Sequence, residues 1–183
     1  MSFLAMVFVS ALTATSGFLG SIPGVLLQAA WFTFAAIGFV LVVIDLKRSR
    51  LPDALTYPLN SLLLVLIFAD SFVKDDPVSL KHAIFSAVGL ALFYFLVNIA
   101  SRGGMGMGDV KFSFSIGLLA GYQSAMGAYV ASMIAFVLGS IVGIAIIVLK
   151  KGNRKTALPF GPFMYMGAIL SLWAIPAVAK YLG

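Results

Sequence analysis

The chain has 183 residues, of which 62% are hydrophobic and only 10% are charged, and its mean hydropathy is +1.10. Soluble domains carry about 25% charged residues, so this chain has too little polar surface for a water-soluble fold and is expected to lie in lipid. This excludes soluble enzymes, nucleic-acid-binding proteins and disordered chains. The net charge of +6 never concentrates in a run of more than two adjacent Lys or Arg, which is typical of membrane orientation signals.

Long apolar runs, separated by short polar breaks, predict about seven membrane-spanning helices. A bilayer core of about 30 Å needs about 20 helical residues per crossing. The expected spans are residues 3–19, 25–45, 56–72, 82–100, 109–121, 124–149 and 161–180. The first is interpreted as a retained helix, because no basic segment precedes it as in a signal peptide. The predicted fold is therefore all-α, a polytopic membrane bundle that forms a single domain over residues 1–183.

The basic residues of the connections predict the orientation of this bundle. If the spans alternate in direction, most of the 12 basic residues fall on one face, and the positive-inside rule assigns that face to the cytoplasm. The residues on this face are Lys47, Arg48, Arg50, Arg102, Lys111, Lys150, Lys151, Arg154 and Lys155. Lys74, Lys81 and Lys180 fall on the other face, and Met1 lies on the cytoplasmic one.

The scarce residue types limit the chemistry that the chain can perform. There is no Cys and no Glu, and His82 is the single His. These counts exclude a disulfide framework, a cysteine nucleophile and a zinc helix of the HExxH type, so neither a metal nor a cofactor is expected. All six acidic residues are Asp, and acid–base chemistry must draw mainly on them.

Two of these acids are expected near the cytoplasmic surface of the membrane: Asp45 at the interface or just inside it, and Asp109 several ångströms inside. Asp45 ends an apolar run, and Asp109 opens one of only about 13 residues, or about 20 Å of helix. An ionisable group at this depth costs about 2.5–3.5 kcal/mol and usually faces a polar cavity with a function. Both acids approach the cytoplasmic side. Asp70, Asp75 and Asp76, at or beyond the outer end of the third span, are interpreted as solvated.

Two carboxyl groups that meet can act as an acid–base pair. The ionised group deprotonates a water, while the protonated group polarises a peptide carbonyl and then protonates the leaving amine. Buried acids also serve as proton relays, so the residues alone leave a second class open. That alternative is a small proton-coupled transporter, or an assembly subunit, that uses the same acids.

A glycine-rich run, residues 103–108, precedes Asp109. Glycines permit the close approach of another chain, such as an extended substrate beside a catalytic acid. The alternative is a helix-breaking loop or tight helix packing. The spacing fits neither a phosphate-binding loop nor a dinucleotide-binding motif.

Three segments resemble a known family in the order and separation of their motifs. Gly106-Met107-Gly108-Asp109 resembles the GxGD signature of type IV prepilin peptidases, which are membrane-embedded aspartyl proteases. The segment from Asp45 to Thr56, with Pro52 seven residues after Asp45, resembles the second signature of that family, and residues 158–163 resemble a third. The resemblance implies Asp45 and Asp109 as the catalytic pair and places Gly106 and Gly108 in the active-site loop. Asp53 competes with Asp45 for the first role.

The resemblance also implies a substrate and a location. Such a protease, with a six-helix core plus an N-terminal helix, would remove the leader of prepilin- or pseudopilin-like precursors at the cytoplasmic face of a prokaryotic inner membrane. Its partners would be these precursors and the lipid bilayer, with no nucleic acid. Larger relatives also methylate the new N-terminus with an extra region that has paired cysteines. Because this chain has no Cys and a short first connection, we expect the short form without methyltransferase activity.

Overall fold

A computed structural model of the chain describes residues 24–48, 50–101, 105–149 and 159–182. All regular elements in these ranges are α-helices, which confirms the predicted all-α class. They are α1 (Val25–Arg48), α2 (Asp53–Lys74), α3 (Pro77–Ala100), α4 (Met107–Gln123), α5 (Gly127–Val148) and α6 (Gly161–Leu182). The first expected span, residues 3–19, lies outside the described residues, and the count of seven crossings stays a prediction.

Several of these helices have the length and composition of membrane spans. Among the described residues, four segments are long and apolar enough to cross a bilayer: α1, α2, α3 and Gly127–Ile146 of α5. Large apolar side chains also point outward, with Phe72 81% and Phe85 77% exposed. Exposed apolar area of this kind is unfavourable in water by about 25 cal/mol per Å². The chain is therefore a multi-pass membrane protein of bundled helices.

Helix α3 begins at Pro77, five residues before the expected start at residue 82. The carboxylate of Asp76 accepts a hydrogen bond of 3.0 Å from the backbone N–H of Ser79, which caps the helix, and this bond holds the pKa of Asp76 below its ordinary value. Proline is favoured at the first position of a helix because it has no N–H to leave unsatisfied. The Asp-Pro pair is thus the physical start signal of α3.

Helix α4 lies at the centre of the bundle. Twelve of its 17 residues are buried, and two glycines bring it against α3. A Cβ on Gly117 would overlap the backbone of Ala87. A Cβ on Gly121 would lie 2.5 Å from the Cβ of Ser86. Small residues four apart allow this close helix contact within a membrane. Helix α3 therefore covers one side of α4 and fixes the position of α4 in the bundle.

An aromatic cluster joins α1, α4 and α6. The ring of Phe34 stacks on Phe112, with centroids 5.6 Å apart, and on Tyr165, with centroids 5.7 Å apart. The hydroxyl of Tyr165 also donates a hydrogen bond of 3.1 Å to the carbonyl of Ala35. These contacts hold together the three helices whose ends form the candidate site described below.

Asp70 is not solvated, and this part of the sequence interpretation is wrong. Helix α2 continues to Lys74, so Asp70 lies within the helix and is only 2% exposed. Its Oδ2 accepts a hydrogen bond of 2.9 Å from the hydroxyl of Tyr122 and pairs with Nζ of Lys74 at 2.6 Å. The buried carboxylate therefore links α2 to the last turn of α4.

Candidate active site

The carboxyl group of Asp45 lies against the first residue of α6. Asp45 is near the end of α1 and only 3% exposed, and its Oδ2 accepts a hydrogen bond of 3.0 Å from the backbone N–H of Gly161. A Cβ on Gly161 would lie 2.7 Å from this oxygen, so a side chain at that position would displace the carboxyl group. The start of a helix favours a negative charge, because its N–H groups are unsatisfied and its dipole is positive there.

Asp109 is held in a similar way at the start of α4. Its Oδ2 accepts a hydrogen bond of 3.2 Å from the N–H of Gly106, and its own N–H donates to the carbonyl of Gly106 at 3.1 Å. Asp109 is 7% exposed. The chain preceding α4 is fixed from α3, where the side-chain amide of Asn98 donates to the carbonyl of Met105.

The two predicted acids lie near one another at the same end of the bundle. They are 64 positions apart in the sequence, on helices α1 and α4. Phe112, one turn after Asp109, and Tyr165, one turn after the Gly161 that binds Asp45, stack on the same Phe34 ring. The fold thus brings together two buried carboxyl groups, each bound to one glycine N–H.

Asp53, the competitor for the first role, has a different environment. Its side chain is 58% exposed and forms an ion pair of 2.6 Å with Nζ of Lys111. The same ammonium group lies 4.7 Å from the centre of the Tyr57 ring. Asp53 therefore belongs to an exposed contact between α2 and α4, and its carboxylate is occupied by a cation.

Of the two predicted loop glycines, Gly108 is the one that packs closely. A Cβ there would lie 2.6 Å from the Cβ of Leu51, so its close neighbour is the segment between α1 and α2. At Gly106 the nearest atom to a Cβ would be Oδ2 of Asp109 at 3.5 Å, an ordinary contact distance. Gly103 and Gly104, also in the glycine run, lie outside the described residues.

A family model matches the part of the chain that contains both acids. The model of the type IV leader peptidase family matches residues 31–148, which is more than half of the chain and includes both Asp45 and Asp109. The chain belongs to the type IV leader peptidase family.

Curated proteins similar to this leader peptidase family member carry the name prepilin leader peptidase/N-methyltransferase. The protein of Aeromonas hydrophila is 30% identical over 167 residues, covering 85% of this chain and 55% of the relative. That of Legionella pneumophila is 31% identical over 149 residues, 78% of this chain and 49% of the relative. That of Xanthomonas campestris is 29% identical over 140 residues, which cover 76% of this chain and 48% of the relative. The chain thus spans about half the length of these relatives, and no solved structure matches it.

Sequence reasoning missed a polar contact between α2 and α4 that lies close to the site of this leader peptidase family member. The side-chain amide of Asn60 in α2 donates a hydrogen bond of 3.0 Å to the carbonyl of Lys111, and its oxygen accepts one from the hydroxyl of Ser115. The available signal was an Asn within an apolar span, since such a residue needs a partner. The partner itself lies more than 50 positions away.

Proposed function

We propose that this chain is an intramembrane aspartyl endopeptidase that removes the leader peptide of prepilin- or pseudopilin-like precursors. Asp45 and Asp109 would be its catalytic pair, within one membrane-embedded domain of residues 1–183. The observation that carries the proposal is the burial, at the same end of the bundle, of two carboxyl groups on different helices, each of which accepts a hydrogen bond from a glycine N–H. The name of the relatives, prepilin leader peptidase, supports the substrate class.

The proposed chemistry needs one proton between the two carboxyl groups. Neighbouring buried carboxyl groups do not both ionise readily, and they titrate as a pair. The ionised member takes a proton from a water, whose oxygen forms a bond to the scissile carbonyl carbon. The protonated member donates to the carbonyl oxygen, which gives a diol on that carbon. When the C–N bond breaks, the leaving amine takes a proton from one acid, and a hydroxyl of the diol returns its proton to the other acid as the new carboxyl group forms. The pair again holds one proton.

The glycine N–H groups support this chemistry by orienting the acids. Gly161 and Gly106 each donate to one carboxylate oxygen, which leaves the second oxygen of each group available to water or substrate. Unlike a side-chain donor, a backbone N–H group neither titrates nor moves between rotamers. Each acid therefore keeps its direction through the reaction, as catalysis by proximity and orientation requires.

The proposal places cleavage at the cytoplasmic face of a bacterial inner membrane. Lys47, Arg48 and Arg50 follow Asp45 within five residues, so the end of α1 that carries the acid also carries a basic cluster. Basic connections stay on the cytoplasmic side of inner membranes. Precursors made in the cytoplasm would reach the acids from that side.

The test is cleavage of a prepilin-like substrate by the purified protein in detergent or nanodiscs, read by mass spectrometry. We expect Asp45→Asn and Asp109→Asn each to lower the rate by about 10²–10⁴-fold, the contribution of a general acid or base. Asp53→Asn is the control, because it removes an exposed carboxylate whose ion pair is worth about 0–1 kcal/mol. Thermal melting of each variant separates loss of chemistry from loss of folding.

Two outcomes would contradict the proposal. If Asp53→Asn is inactive while Asp45→Asn still cleaves, the first catalytic acid is Asp53. If the folded wild type cleaves no pilin-like leader but conducts protons in liposomes, the acids form a transport relay. The same spectra report methylation of the new N-terminus, and we expect an unmethylated product with a methyl donor present.

A further inference from the structure

The end of α1 and the start of α2 enclose a groove of about 600 Å³. Its volume lies within the range of small-molecule sites, about 300–1,000 Å³. Both helices are candidate membrane spans, so the groove lies where the bundle meets the lipid. The residues that line it are Val43, Ile44, Lys47, Arg48, Arg50, Pro52, Ala54 and Leu55.

Three of the lining residues, Lys47, Arg48 and Arg50, are basic and exposed. Within the part of the chain that the structure describes, the ion pairs are Lys74–Asp70 and Lys111–Asp53. No described carboxylate therefore lies within ion-pair distance of the three cations. Their charges are free to meet an anion.

The rest of the lining is apolar, and the two parts together define the chemistry of a ligand. Val43, Ile44 and Leu55 are half-buried and offer contact to hydrocarbon. A ligand that satisfies both parts has an anionic group joined to an alkyl chain. In a membrane, an anionic phospholipid has this chemistry, and basic pockets beside membrane helices bind such headgroups.

The direction of the groove favours a lipid over a substrate peptide. Val43 and Lys47 lie two residues before and after Asp45, about 200° around the helix from it in either direction. Ile44 and Arg48, the other lining residues on α1, lie about 100° and about 60° from Asp45 around the helix, and Asp45 itself does not line the groove. The carboxyl group of Asp45 faces Gly161, so the groove is centred on a different face of α1. A peptide bound for cleavage would have to reach the Asp45 carboxyl group, which lies outside the groove.

We propose that this groove is a binding site for an anionic phospholipid. The phosphate contacts Lys47, Arg48 and Arg50, and the first part of an acyl chain lies against Val43, Ile44 and Leu55. The site is separate from the proposed catalytic pair. It is tested by lipid binding, without any need for peptidase activity.

The experiment is native mass spectrometry of the delipidated protein with equimolar phosphatidylglycerol and phosphatidylcholine. We expect the wild type to retain phosphatidylglycerol preferentially. The triple variant Lys47→Gln/Arg48→Gln/Arg50→Gln should lose this preference by about fivefold for each cation removed. Ala54→Phe fills the groove, keeps every charge and should lose the preference too.

Two matched controls should keep the preference of the wild type. Ala100→Phe adds the same ring at an exposed position at the end of α3, outside the groove. Lys81→Gln removes an exposed charge near the start of α3. Melting curves confirm that each variant is folded before binding is compared.

Three results would overturn the proposal. The first is an unchanged phosphatidylglycerol preference in the triple variant. The second is a loss in the triple variant but not in Ala54→Phe, which would indicate attraction to the whole basic surface. The third is that the triple variant and Ala54→Phe bind lipid like the wild type but have a raised KM for a precursor. This result would assign the groove to the substrate.

Discussion

The orientation of Asp45 depends on a residue that has no side chain. The N–H of Gly161 donates to Oδ2 of Asp45, and the space around that oxygen admits no Cβ, because the two atoms would be 2.7 Å apart. Asp109 receives the matching hydrogen bond from Gly106. Thus the geometry of both acids is determined by backbone atoms at the starts of two helices.

At the residue scale, we predict that Gly161→Ala impairs cleavage far more than it impairs folding. The added methyl group pushes the carboxyl group of Asp45 out of place, and a misplacement of about 1 Å can cost about 10²-fold in rate. Gly89→Ala is the control, since a Cβ there meets no atom within 4 Å. Cleavage rates and melting temperatures are measured together. Equal activity of the two variants would show that Gly161 does not position Asp45.

The buried environment of Asp45 and Asp109 could be expected from the sequence, whereas that of Asp70 could not, for a physical reason. Asp45 and Asp109 stand at the ends of apolar runs, where an ionisable group needs a specific environment. Asp70 also stands close to such an end, but its environment depends on Tyr122 in another helix. No local pattern shows that partner, so the burial of Asp70 could not be predicted.

At the scale of elements, α4 is tied to α2 along its length. Lys111 pairs with Asp53 near its start, Ser115 bonds to Asn60 in its middle, and Tyr122 bonds to Asp70 in its last turn. All three partners are on α2. The helix that carries Asp109 is therefore held in register with α2 by polar contacts as well as by apolar packing.

We predict that Tyr122→Phe destabilises the protein by about 1–3 kcal/mol, the cost of leaving a buried polar group without one partner. Cleavage should persist, because Tyr122 lies at the end of α4 opposite to Asp109. Tyr129→Phe is the control, since Tyr129 is 60% exposed. The measurement is denaturant or thermal unfolding in one detergent. If both variants unfold like the wild type, the Tyr122–Asp70 bond does not anchor α4.

Helix positions were predictable from apolar runs, whereas helix ends were not always so. The expected span 82–100 lacks the first turn of α3, because the Asp76 cap and Pro77 lie in a polar segment that hydropathy does not include. Helix α4 extends two residues beyond the expected 109–121 at each end. Capping hydrogen bonds determine these ends, and hydropathy does not detect them.

At the scale of the whole molecule, composition predicted a membrane protein, and the length of the apolar runs predicted that it is helical. A chain that is 62% hydrophobic has to place side chains such as Phe72 and Phe85 in lipid. The arrangement of the helices required the structure, because it depends on contacts between distant residues. The Phe34 stack with Phe112 and Tyr165 is one example, and it brings α1, α4 and α6 together at the candidate site.

The central claim is that Asp45 and Asp109 act as one acid–base pair, and the pH dependence of kcat/KM tests it most directly. The wild type and Asp53→Asn are assayed in nanodiscs between about pH 4 and pH 9, over which the paired carboxyl groups are expected to titrate, with melting temperatures at each pH. The proposed pair needs one ionised and one protonated member, so the account predicts a bell-shaped profile that Asp53→Asn leaves unchanged. A profile with a single limb, or one whose shape changes in Asp53→Asn, would contradict it.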